Sequence, residues 1–411
     1  MSPSPSPAAT PALPLWALIL IVGSIVGIAT GRGQSMGLYQ LPIVSQLGIG
    51  REPFSTAMAL AQLMTGIGAP FSGALMDKLG AFRVVLICVL LTIAGFYFFY
   101  AAESAPYLLI GGVLMGLGTS GTGVNALAGT MGRLAPPEKR LAAIASLGMA
   151  GGIGGFIALP FMHYLIEFTG WQQSLLWLML ITLLMVPLAW PVGGKPAVQT
   201  SAGGVPTQSM GQALREAFAH PSFWLLTSGF FVCGFHVAFI MVHFPAYTRD
   251  LGLPGWVGPF ALGLIGLTNI VGTFLAGQSG RYIEKRRGLS LIYFGRALIF
   301  AALLLMPHTP LTILVLCGLL GLLWLATILL TSGLVATFFG TTWMSMLFGI
   351  VFLSHQVGAF LGVWLAGRLF DLTKSYDTMW WISIALGVIS ALLNWPIKEA
   401  PVARLAVAAK V

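Results

Sequence analysis

Charged side chains are scarce in this chain. Asp, Glu, Lys and Arg make up 8% of its 411 residues, whereas they make up about 25% of an ordinary soluble domain. Hydrophobic residues make up 57%, which is more than a soluble core requires. The scarcity of charge therefore excludes an ordinary soluble domain and indicates a membrane protein.

Cysteine is also rare. The three cysteines lie in apolar runs without CxxC spacing, which excludes a disulfide framework and a metal site. We find no Ser/His/Asp set either, so we expect no cofactor and no enzymatic activity. Residues 1–14 lack the basic region of a cleaved signal peptide and predict a disordered tail.

Apolar stretches recur at about the 20 residues that a helix needs to cross a bilayer. They predict an all-α membrane protein with twelve spans, near 15–45, 53–76, 81–102, 106–132, 140–167, 172–193, 221–248, 256–281, 288–306, 308–338, 342–370 and 377–397. The predicted domains are a tail at 1–14, a six-helix bundle at 15–193, a cytoplasmic linker at 194–220, a second six-helix bundle at 221–397 and a tail at 398–411.

The distribution of Lys and Arg predicts the orientation. Fourteen of the 20 lie in segments on the side of the termini and four on the other side, and basic residues concentrate in cytoplasmic loops. We therefore expect both termini in the cytoplasm and a bacterial-type inner membrane. The net charge of +9 then belongs to membrane-flanking loops, which argues against nucleic-acid binding.

A short motif follows the second span in each half. Residues 73–83 read GALMDKLGAFR, and residues 277–287 after the eighth span read GQSGRYIEKRR. The first resembles the major facilitator superfamily signature GxxxDRxGxRR, with Lys78 in place of an arginine. The resemblance implies two pseudo-symmetric bundles and a gating role for Asp77, Lys78 and Arg83, although these residues could also serve only to set the topology.

Three further stretches resemble the monocarboxylate transporter and oxalate/formate antiporter branch of that superfamily. They are GRGQSMGLYQLPI at 31–43, KRLAAIASLGMAGGIGG at 139–155 and SHQVGAFLGVWLAGRLFDLTKSYD at 354–377. This resemblance implies transport of small organic anions. The chain departs from the branch in its eighth span, where Asn269 to Thr273 stand in a region that carries an arginine in many members.

All eleven acidic residues fall in predicted loops or at helix ends, whereas Arg32 lies within the first span. Burying a guanidinium costs about 2.5–3.5 kcal/mol or more, and an anionic substrate is its simplest partner. Arg32 could instead bind backbone carbonyls at a glycine-rich stretch or reach water near a helix end. Arg296, about two turns into the ninth span, is predicted to snorkel towards the interface.

Other polar residues within the spans complete the predicted substrate site. The full set is Arg32, Gln34, Ser35, Tyr39, Asn125, His236, Asn269, Trp324, Thr327, Thr331, His355 and Gln356. Imidazole titrates near neutral pH, so His236, His243 and His355 are candidates for carrying a coupled proton, His236 foremost. Each could also be a neutral structural histidine.

These observations predict a secondary active transporter that moves a small organic anion with protons by alternating access. Its expected partners are the anion, protons and the lipid bilayer, and we expect a monomer. An exporter of amphipathic molecules is the first alternative, since the 17 Met and 26 Phe residues could form an adaptable pocket. A membrane sensor without transport activity is the second.

Overall fold

A computed structural model describes residues 14–193, 208–280, 282–340 and 342–408. Within these ranges the chain is helical, and twelve helices are long and apolar enough to span a membrane. We number them α1 to α12: Leu15–Leu47, Arg51–Met76, Ala81–Tyr100, Ala105–Leu134, Ala142–Thr169, Trp171–Val192, Pro221–Asp250, Val257–Ser279, Lys285–Leu305, Pro310–Phe339, Met344–Thr373 and Asp377–Asn394. Short helices at Met210–Phe218 and Ala403–Ala408 lie outside the spans.

The twelve predicted spans are confirmed, and every predicted boundary lies within three residues of the observed one. Parts of the predicted tails and linker (1–13, 194–207 and 409–411) lie outside the described residues. The predicted domain boundaries therefore stay predictions. Because the number of spans is even, both ends of the spanning region lie on one face, which we call the terminal face. The opposite face is the far face.

Helix packing repeats after six helices. In the first half α1 packs on α5, α2 on α4 and α3 on α6, and in the second half α7 packs on α11, α8 on α10 and α9 on α12. The halves meet where α2 packs on α11 and α5 on α8. This arrangement is the parallel pseudo-repeat found in carriers whose site lies between two bundles.

Glycine allows the closest of these contacts. A side chain on Gly154 of α5 would collide with the backbone of Gly27 in α1, and one on Gly362 of α11 would collide with the Phe235 carbonyl of α7. Small residues let membrane helices approach to backbone distance.

Two spans are interrupted at equivalent places. The helix of α4 stops at Ser120 and resumes at Val124, and that of α10 stops at Leu322 and resumes at Ala326. Each interruption frees backbone groups that must find partners inside the protein. From the sequence, α4 and α10 were each predicted as one continuous helix.

Candidate functional site

The two halves enclose a cleft that is open towards the terminal face. Near mid-span, Gly66 packs against Gln356, and Gly152 against Gly266. Beyond these contacts, towards the terminal face, we infer that the halves part. The hydrogen bonds and ion pairs that join the halves within the described residues lie at mid-depth or towards the far face.

A polar cluster closes the cleft at the far face. We call it the far-face seal, and it consists of Gln40, Arg51, Ser55, His243, Asp250, Asp371 and Tyr376.

Arg51, the first residue of α2, is the centre of the seal. Its guanidinium forms a two-pronged ion pair with Asp250 at the end of α7, with N–O distances of 2.6 and 2.7 Å. One of the same nitrogens donates to the Tyr376 hydroxyl at 2.9 Å, and the guanidinium lies 3.5 Å from the centre of the Phe370 ring. Paired, planar contacts of this kind are the strongest that arginine makes with carboxylates.

Asp371 of α11 caps the start of α2. Its carboxylate accepts hydrogen bonds from the backbone N–H groups of Arg51 and Glu52, each at 2.8 Å. These N–H groups have no partner within the helix, and the positive end of the helix dipole favours an anion there. Two exposed ion pairs, Arg368 with Glu52 and Arg249 with Glu167, surround this arrangement.

His243 continues the seal into the membrane. Its Nε2 lies 3.0 Å from the Val363 carbonyl oxygen, and its Nδ1 lies 2.9 Å from the Tyr376 hydroxyl and 3.3 Å from the Gln40 amide nitrogen. The ring is fully buried. Burial also raises the pKa of the Tyr376 phenol, so this hydroxyl keeps its proton and can donate to His243.

Three other predicted residues, Arg32, Ser35 and Tyr39, bond to partners within the first half. Arg32 is 2% exposed and donates to the Thr122 hydroxyl, in the interruption of α4, at 3.0 Å. Its Nε has no partner. Ser35 bonds its own helix, and the Tyr39 hydroxyl accepts from Ser174 of α6. A role for Arg32 in anion binding stays a prediction.

Two more predicted residues of this half lie near different walls. Gln34 packs against Gly155 of α5. Asn125 is exposed and lines a cavity of about 180 Å³ with Gly73 and Arg133, towards the terminal face. Their roles in substrate binding stay predictions.

Most of the predicted residues of the second half support its own fold. His236 bonds the Ser383 carbonyl of α12 at 2.9 Å and packs on Phe300 of α9. Asn269 accepts from the backbone N–H of Leu325 within the interruption of α10. Trp324 and Thr331 are buried, and Thr327 contacts Cys233. His355 bonds the neighbouring Gln356. Gln356 in turn joins the halves, because its amide donates to the Gln62 carbonyl of α2.

The prediction that Arg296 snorkels is wrong. The side chain is fully buried and donates to the Leu323 and Trp324 carbonyls at the interruption of α10, with a further contact to the Cys233 sulfur. The interruption leaves carbonyl groups without helical partners, and a guanidinium with five donors can satisfy several of them. Since the interruption was not predicted, the role of Arg296 could not be predicted either.

The predicted gating residues lie at the open end of the cleft. Lys78 and Arg83 are exposed, and the Asp77 side chain lies outside the described residues. Their role as a latch stays a prediction. The sequence placed Arg51, Asp250 and Asp371 in loops or at helix ends, but it did not predict that they form a seal. The available signal was that six acidic residues accompany four basic ones on the far face.

Twelve spans in two repeating halves, closed at one face and open at the other, define a membrane transporter. The profile of the Major Facilitator Superfamily matches residues 20–363, and the chain belongs to that family. The predicted family is thereby confirmed.

Several relatives extend this finding. The chain is 24% identical over 404 residues to the uncharacterized MFS-type transporter YcxA of Bacillus subtilis (strain 168), covering 94% of this chain and 95% of that protein. It is 24% identical over 294 residues to the oxalate:formate antiporter of Oxalobacter formigenes, covering 70% and 68%. It is 26% identical over 251 residues to monocarboxylate transporter 11 of Mus musculus, covering 59% and 54%.

A solved structure shares the fold. It is the bacterial homolog to the human lysosomal transporter Spinster in an inward-facing and unoccupied conformation, with a TM-score of 0.67, 16% identity and 94% of each chain covered. This likeness supports the architecture described above.

Proposed function

We propose that this chain is a secondary active transporter that moves a small, monocarboxylate-like organic anion across the inner membrane by alternating access, coupled to protons. The observation that carries the proposal is the distribution of charge. Every acidic residue in the described spans lies near a helix end, whereas Arg32 and Arg296 are buried well inside. A cationic substrate would find no counter-ion there, and an anionic one would.

The relatives support the same substrate class. One is named as an oxalate:formate antiporter and another as a monocarboxylate transporter. Under the predicted topology the far face is the outside, so the structure has its cleft open to the cytoplasm. Transport then requires that the far-face seal opens and that the terminal face closes, with Asp77, Lys78 and Arg83 as the proposed latch.

Of the two buried arginines, Arg32 is the better candidate for binding the anion. The guanidinium of Arg296 already donates hydrogen bonds to carbonyl oxygens. Arg32 instead donates one hydrogen bond, to Thr122, from its five donors. Proton coupling has an energetic reason as well. Moving one negative charge inwards against 100 mV costs about 2.3 kcal/mol, and a proton that moves with it cancels this cost.

The test is uptake of labelled organic acids into proteoliposomes under an imposed pH gradient. We expect wild type to take up small carboxylates, and Arg32→Gln to raise KM about 10-fold to 100-fold because a hydrogen bond to a charged group is lost. Thr122→Val is the matched control. It removes the observed partner of Arg32 but keeps the charge, so KM should stay within about twofold.

Two results would count against this proposal. If Thr122→Val raises KM as much as Arg32→Gln does, the guanidinium supports α4 and the anion binds elsewhere. If no organic acid in the panel is taken up, the substrate class is wrong.

One observation favours a second function, export of amphipathic molecules. A groove of about 850 Å³ runs between α1, α5 and α6, lined by apolar side chains that include Leu20 and Phe161, with Arg32 also at its wall. An amphipathic acid could bind there with its apolar part towards the bilayer. Ile157→Trp would fill the groove, and if this second function holds it should reduce transport of amphipathic acids more than transport of small carboxylates.

A further inference from the structure

We propose that protonation of His243 opens the far-face seal, so that protons on that side drive the carrier towards the state open to the far face. This inference supplies a proton-sensing residue for the proposed proton coupling and rests on that function for its physiological meaning. The conformational effect itself requires no substrate.

The contacts of His243 determine which ring nitrogen carries the proton in the closed state. A carbonyl oxygen can only accept, so the 3.0 Å contact with Val363 requires that Nε2 carries hydrogen. Nδ1 then presents its lone pair to the Tyr376 hydroxyl and the Gln40 amide, at 2.9 and 3.3 Å. The closed seal is therefore built for neutral histidine.

A second proton on the ring conflicts with this arrangement. Nδ1–H would face the Gln40 NH₂ group and the Tyr376 hydroxyl, which both donate to Nδ1 in the closed state. Gln40 could turn its amide, because its buried Oε1 has no partner, but the turn would take its nitrogen from the Ser55 hydroxyl. Rotation of the Gln40 amide would also not remove the positive charge added to the His243 ring.

The charges around His243 make that added charge unfavourable. The His243 ring faces the Arg51 guanidinium of α2. The Tyr376 hydroxyl lies between them, 2.9 Å from a nitrogen of each. Gln40 and Ser55 carry no charge. The nearby carboxylates are already engaged, Asp250 by the Arg51 side chain and Asp371 by the start of α2.

The expected size of the effect follows from the distance. Two successive contacts of 2.9 Å separate the two cations by at most about 6 Å. Coulomb's law at about 6 Å and an effective dielectric constant of about 20 gives about a 100-fold shift towards the open state as the limit reached when the ring is fully protonated. Since His243 lies between the halves, separating them relieves this repulsion and admits water to both groups.

Protons can reach the seal from the far face. Arg51 and Asp371 line a cavity of about 510 Å³ that also includes Lys374 and Arg249, which are exposed at that face.

The experiment measures the conformation of the purified full-length chain in lipid nanodiscs without substrate. Nitroxide labels at Ser45 and Leu372 report the distance between the halves at the far face, where both positions are exposed. The three native cysteines are buried, so labelling favours the introduced ones. We expect the ratio of open to closed molecules to rise about 20-fold to 30-fold as the pH falls from about 8 to about 5, because a histidine freed from the seal protonates over this range.

His243→Gln is the decisive variant. Its amide can still donate to the Val363 carbonyl but cannot gain a proton, so it should stay closed throughout this pH range. His163→Gln is the matched control, because His163 lies at the far face but contacts Glu167 and not the seal. It should follow wild type.

The inference is overturned if wild type shows no change with pH, or if His243→Gln opens as wild type does, which would assign the effect to Asp250 or Asp371. Equal thermal unfolding of His243→Gln and wild type at pH 8 excludes a folding defect as the cause of any difference. Failure of the proposed function is distinguishable, since a chain that opens through His243 but transports no organic acid would refute only that function.

Discussion

Removing one charge from the Arg51–Asp250 pair should shift the protein from the closed to the open form at the far face. Asp250→Asn keeps the shape of the side chain and removes its charge. The two side chains are 9% and 33% exposed. The pair therefore lies between exposed pairs, which contribute about 0–1 kcal/mol, and buried pairs, whose disruption costs about 3–5 kcal/mol.

We take about 2 kcal/mol as the loss in stability of the closed form, which corresponds to about a 30-fold change in the ratio of closed to open molecules. Distance measurements between nitroxides at Ser45 and Leu372, at pH 8, give this ratio directly. Glu167→Gln is the matched control, because its pair with Arg249 also joins the halves but is about half exposed on both sides.

The control should change the ratio by less than about fivefold. The reasoning is refuted if Asp250→Asn changes the ratio no more than Glu167→Gln does. It is also refuted if Asp250→Asn instead stabilises the closed form, because the guanidinium would then be sufficiently stabilised by the Phe370 ring and the Tyr376 hydroxyl.

Three further predictions concern the same framework. Arg296→Met should lower stability by about 3 kcal/mol or more, because it leaves two buried carbonyls of α10 without donors, and thermal unfolding in detergent would measure this. Gly154→Leu should prevent folding by separating α1 from α5, whereas Gly148→Ala, which meets no atom within 4 Å, should elute as a monodisperse peak like wild type. Tyr376→Phe should weaken the closed form by about 1 kcal/mol, less than Asp250→Asn; an equal or larger shift in the nitroxide distances would contradict this order.

The histidines of α7 illustrate how far sequence spacing reaches. His236 and His243 are seven residues apart and lie on nearly the same side of the helix, and the sequence named both as candidates for carrying the coupled proton. They are also about 10 Å apart along the axis, and different helices pack at the two levels. His236 contacts α9 and α12, whereas His243 contacts α1, α2 and α11.

The sequence by itself determined the twelve spans, the family and the separation of acidic residues from the membrane interior. Each of these depends on residues that are consecutive or close in the chain. Hydropathy over about 20 residues decides whether a segment crosses the bilayer, and the segment at 73–83 carries the family signature within eleven positions.

Only the tertiary structure decided which polar groups meet. Arg51 and Asp250 are separated by 199 positions and Arg51 and Asp371 by 320, and their pairing depends on how the two halves close against each other. Arg296 likewise received its partners from the interruption of α10. A side chain within a bilayer must satisfy its hydrogen bonds inside the protein, and the fold, which no local pattern encodes, decides which groups are near enough to do so.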